Sequence, residues 1–176
     1  MKEFERFAVL AFLTDSLNAH GSWCGETHVQ KSVYFLQELF GVPTGFEFIL
    51  YKHGPFSFDL RDELTGMRAE GFLNFIPQPP YGGSHVTSDL GKKLERQFAA
   101  SIEKHRGPIE YVATNLGPKK VTELEQFATA LYVMRQEPNG SRERWAQLVN
   151  QLKPHVPVSD AKSALDAVSK IEADIR

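Results

Sequence analysis

The chain has 176 residues, 41% hydrophobic and 24% charged, with a formal net charge of -2. Its 13 Phe, 5 Tyr and 2 Trp supply enough apolar surface for a core, which excludes disorder over most of the chain, and the charge excludes a general affinity for nucleic acid or anionic lipid. The longest apolar run, Phe7 to Leu13, is far short of the roughly 20 residues a bilayer span needs, and the single Cys24 forbids an internal disulfide or a thiolate zinc cage.

Phe4 to Leu17 is apolar on nearly all sides, as in a centrally buried helix. Its acidic flank and Asp15 are wrong for a secretory signal, so the expected location is cytoplasmic, with no membrane association. Thr27-His28-Val29-Gln30 reads as a capping box opening a second helix, with Val29, Val33, Leu36 and Phe40 at helical spacing. Gly41 and Pro43 stop it. Phe46 to Tyr51 reads as a strand, and His53-Gly54-Pro55 as a turn. Ser57 caps a third helix, Phe58 to Glu70, with Leu60, Leu64 and Met67 on one face.

Phe72 to Ile76 and Ser84 to Thr87 form a hairpin around the Pro/Gly tip Pro77 to Gly83, which itself reads as irregular. Thr87-Ser88-Asp89, with Thr87 as cap, opens a fourth helix carrying Leu90, Leu94, Phe98 and Ile102. From Pro108 onward the pattern is helical: Thr122 and Glu125 form a second capping box, Ser141 opens a further helix, and Ser159 caps a last, Ala-rich one that packs within the chain or on a partner. The predicted fold is mostly α with a small β wing: a winged-helix-like domain, residues 1–106, plus a helical C-terminal extension, residues 107–176, packed on it.

Three segments carry a closer likeness. Residues 31–41 (KSVYFLQELFG), residues 51–57 (YKHGPFS) with Leu60 and Leu64, and residues 123–132 (ELEQFATALY) resemble the YwgA-like family of uncharacterised bacterial and archaeal proteins. The helix–strand–Gly-Pro–helix order resembles, more distantly, the Panacea (SocA-like) antitoxin domain; His53 stands where Tyr is commoner. The resemblance implies a role in regulation, toxin neutralisation or defence-type systems. It implies no catalytic residues.

Three functions follow from these readings. A protein-binding module, antitoxin- or adaptor-like, would grip a toxin- or effector-like partner through His53, Gly54, Pro55 and Phe56 at the turn and through Pro80 and Tyr81 at the wing tip. Of the neighbouring wing residues, Phe72, Leu73 and Ile76 are expected to cover the core. A DNA-binding transcriptional regulator would use Arg61 and Arg68 of the third helix with Lys92, Lys93 and Arg96, a basic face that a homodimer would concentrate. That third helix also carries Asp59, Asp62, Glu63 and Glu70, and the wing tip has no Lys or Arg, which favours the protein-binding reading.

An enzyme is the third reading. None of the six histidines has metal-ligand spacing, and Gly82-Gly83 lacks a phosphate-loop context. Cys24 paired with a distant histidine is its remaining form, and His53 reads as a turn residue bonded to nearby backbone. No catalytic residue, metal or cofactor is expected.

Overall fold

The computed structural model describes residues 1–175, with all side chains among them except that of Tyr81. In chain order the elements are α1 (Glu3–Ala19), α2 (Glu26–Phe40), β1 (Ile49–Tyr51), β2 (Gly54–Phe56), α3 (Phe58–Ala69), β3 (Leu73–Gln78), β4 (Tyr81–Thr87), α4 (Asp89–Gln97), α5 (Ala99–Glu103), α6 (Arg106–Leu116), α7 (Val121–Gln136), α8 (Arg142–Leu152) and α9 (Val158–Asp174). The fold is mostly helical, with two small antiparallel sheets, β1–β2 and β3–β4. Two compact units divide it. One comprises residues 1–48 and 57–119; the other comprises residues 49–56 and 120–176. Residue 106, where the sequence suggests a boundary, lies inside the first unit.

In the first unit, α1 packs against β4, α4 and α6. Phe7, Val9, Leu10, Leu13 and Leu17 are buried on it, as its composition demands. Phe4 is not buried with them, and Phe12 is half-buried beneath the Arg106 guanidinium, 4.7 Å from the ring. The expected capping box of α2 does not form. The helix starts earlier, at Glu26 with Gly25 as N-cap, so Gln30 falls one turn inside. There its amide is fully buried and bonds both backbone groups of Ser57. Gly41 ends α2 in the left-handed conformation, as expected.

Only the end of the predicted strand 46–51 is extended pairing. Thr44 and the backbone of Phe46 are bonded to the Gln37 side chain, so this segment has no need of a strand partner. Ser57 caps α3, accepting from Leu60 N. Ser88, not Thr87, caps α4; the Thr87 hydroxyl donates to Ala11 O instead. The predicted fourth helix breaks at Phe98 into α4 and α5. Gly91 lies so close to the Phe72 carbonyl that a Cβ there would collide with it. That lack of a side chain lets α4 close onto the start of β3.

In the second unit, α7, α8 and α9 pack on one another and the β1–β2 hairpin packs on α7. Gly54 to Phe56, expected as a turn, is strand β2, paired Ile49↔Phe56, Leu50↔Pro55 and Tyr51↔Gly54. The turn is Lys52–His53. Helix α7 begins at Val121, and Glu123 rather than Glu125 caps it, accepting from Lys120 N at 3.1 Å. Ser141 caps α8 as expected, but α9 starts at Val158 with Pro157 as its cap, and the Ser159 hydroxyl bonds Asp160. The Ala-rich stripe of α9 is covered within the chain: Ala161, Ala164, Leu165 and Val168 are buried.

Candidate functional site

The second unit gathers charge at the hairpin turn. Once Glu123 has taken the capping role, Glu125 turns inward, its side chain 7% exposed. Lys153 follows α8 and is equally buried. Its Nζ donates to the carbonyls of Tyr51 and Lys52, 2.5 Å each, and lies 3.8 Å from Glu125 Oε1. His53 Nδ1 is 3.4 Å from Glu125 Oε2, and His155 Nε2 is 3.2 Å from Oε1. One buried carboxylate thus faces one ammonium and two imidazoles. Both histidines are mostly in solvent, 64% and 62% exposed. Among the described residues, no group of three His, Cys, Asp or Glu could hold a metal ion.

This cluster revises the reading of the turn. His53 bonds a carboxylate 72 positions away rather than nearby backbone. Gly54 and Pro55 are buried and Phe56 is half-buried against Tyr51, ring centroids 5.7 Å apart. Of the four turn residues expected to meet a partner, His53 is the exposed one. Glu125, Lys153 and His155 were not singled out as a group from sequence. The available signal was a Lys and a His flanking Pro154 in a polar connection.

In the first unit the candidate surface is the β3–β4 hairpin. The tip is regular for longer than expected: β3 runs to Gln78 and β4 starts at Tyr81. Opposed residues share a face. Leu73, Phe75, His85 and Thr87 lie on one, and Asn74, Ile76, Ser84 and Val86 on the other. Phe72 and Leu73 cover the core as expected, but Ile76 does not: it is 46% exposed, and Val86, diagonal to it, is 37% exposed. Pro77, Pro79 and Pro80 are exposed at the tip; the Tyr81 side chain lies outside the described residues.

The far edge of β4 is tied to the end of α1 and to the α1–α2 connection. His85 N donates to Cys24 O at 2.9 Å, Asn18 Nδ2 to His85 O at 3.0 Å, and the half-exposed Trp23 Nε1 to Gly82 O at 3.1 Å. Burial pushes the Cys24 thiol up to about 12, which favours its protonated form. Burial, with the nearby Arg68 charge, pushes the His85 imidazole down to about 4.

The expected DNA-contacting cations are largely engaged. Arg61 bonds Asp62 at 2.9 Å and stacks over Phe58. Arg68 bonds Thr65 and stacks over Phe75. Lys92 pairs with Asp15 and lies 3.6 Å from Glu95. Lys93 and Arg96 are exposed on α4. None of the described helices is long and apolar enough to cross a membrane.

No family profile matches the chain, and no curated protein sequence matches it.

Proposed function

We propose that the chain is a non-enzymatic protein-binding module on a winged-helix frame, antitoxin- or adaptor-like, in a regulatory or defence setting. The carrying observation is the outward face of the β3–β4 hairpin. Ile76 and Val86 stand side by side in solvent, with exposed prolines at the tip and no Lys or Arg between Leu73 and Thr87. Water-exposed apolar side chains on a hairpin favour a protein partner over a phosphate backbone. The helix that a winged-helix DNA reader would insert, α3, carries arginines already committed to its own side chains.

The test is partner capture from the source cell with the unchanged chain and with an Ile76→Asp/Val86→Asp double variant, alongside random duplex titrated at low salt. The module reading expects a stoichiometric complex with the unchanged chain, lost in the variant at unchanged thermal midpoint. Tight, salt-steep duplex binding without a protein complex overturns it in favour of a DNA-binding regulator acting through Lys93 and Arg96.

A further inference from the structure

In the first unit, apart from the β3–β4 face, an open groove of about 310 Å³ lies between the start of α1, the start of β3 and α4. Its walls are Phe4, Phe72, Leu90, Leu94 and Phe98. Phe4, Phe7 and Phe72 form a mutual edge-to-face triad with centroids 5.7–6.3 Å apart, so one wall is fixed. The other is α4, held against Phe72 by the close approach at Gly91. The groove is therefore preformed. Yet it is incompletely covered, with Phe4 47% and Leu90 44% exposed.

Two polar side chains complete the lining, Lys93 and Gln97. Leu90, Lys93, Leu94 and Gln97 are spaced three, four and seven apart, which brings them onto one face of α4. Lys93 is the one charged residue in the lining, and among the described residues no carboxylate pairs with it. The acid nearest along the helix, Glu95, faces Lys92 instead.

We propose that this groove binds the anion of a medium-chain aliphatic carboxylic acid. The chain lies along the phenylalanine and leucine walls, and the carboxylate meets the Lys93 ammonium and the Gln97 amide. Charge selects the headgroup: an apolar trough with one unpaired ammonium at its side complements an anion and rejects a cation. Volume sets the scale of the tail: about 310 Å³ sits at the small end of ligand pockets, which run from about 300 to 1,000 Å³, and matches a medium-length chain.

Isothermal titration with decanoate, decanol and decyltrimethylammonium tests this, using the whole chain and the Lys93→Glu and Leu90→Asp variants. Both substituted side chains are exposed, and circular dichroism with thermal melting verifies that each variant folds. The proposal expects saturable one-to-one binding of decanoate, with decanol and the cation at least about tenfold weaker. Lys93→Glu lowers decanoate affinity by about tenfold or more and leaves decanol unchanged; Leu90→Asp weakens both. Absence of saturable decanoate binding overturns the proposal. So do equal affinities for the three probes, an unchanged decanoate isotherm in Lys93→Glu, or binding seen only to phospholipid vesicles.

Discussion

The Gln30 side-chain amide pairs with the backbone of Ser57 as a neighbouring strand would: Oε1 accepts from Ser57 N at 2.9 Å and Nε2 donates to Ser57 O at 2.8 Å. Both residues are fully buried. The pair holds the residue that caps α3 and so sets where that helix begins. Gln30→Ala leaves the buried Ser57 N–H without a partner, while Ser57 O keeps its bond from Arg61 N, and is expected to cost about 2–3 kcal/mol. Ser57→Ala removes only the cap and is expected to cost about 1 kcal/mol. Urea unfolding midpoints of the two variants check the order; equal losses would refute it.

Acid is expected to destabilise the fold through buried imidazoles. His85 is neutral in the fold, pushed down to about 4 by burial first and by Arg68 second, whereas in the unfolded chain it titrates near 6.5. His28 is lowered in the same direction by burial, and its Nδ1 is buried without a bonding partner. The unfolded state then binds more protons than the folded state below pH about 6.5. Stability is therefore full above that value, falls as pH drops toward 4, and loses about 3 kcal/mol to His85 by the end of that window. Denaturant midpoints measured from pH 7 to pH 4 give the slope, and His85→Asn is expected to flatten it.

The Glu125–Lys153 pair is expected to behave asymmetrically. Glu125→Ala leaves the buried Lys153 ammonium with two carbonyls and no counter-charge, a loss of about 3–5 kcal/mol. The double change Glu125→Leu/Lys153→Met is expected to recover most of it. His53→Ala and His155→Ala remove exposed partners and are expected to cost under about 1 kcal/mol each. A double-mutant cycle on thermal unfolding supplies the comparison.

Two glycines should respond with opposite signs to alanine. Gly66 lies within α3 with open space where its Cβ would go, so Gly66→Ala is expected to stabilise by about 0.5–1 kcal/mol. Gly91→Ala drives a methyl into the Phe72 carbonyl and the Thr87 side chain and is expected to cost about 1–3 kcal/mol. Thermal midpoints shifted in the same direction by both would show that α4 has slack against β3.

Local chemistry was readable where it was self-contained. The Ser57 and Ser141 caps, the Gly41 stop and the pairing of residues 73–76 with 84–87 each depend on a few adjacent residues, and each stands as read. The misread positions answer to distant partners. Gln30 and Glu125 both fit a capping box by spacing, but Ser57 claims one side chain and Lys153 the other. Gly54-Pro55-Phe56 looked like a turn because Pro lacks an N–H; at a two-stranded edge that loss is tolerated. Ile76 looked like core by type, and its face was decided by register with Ser84. The His53–Glu125–His155 arrangement joins three chain segments, and no single window contains it.

The β1–β2 hairpin belongs by packing to helices that come much later in the chain. During synthesis it leaves the ribosome before α3, and the carboxylate and ammonium that secure its turn do not yet exist. A pair of three-residue strands is not stable alone. The nascent chain must therefore carry residues 49–56 unsatisfied until α8 and Lys153 have emerged, so the second unit can fold only after about a hundred further residues have been made.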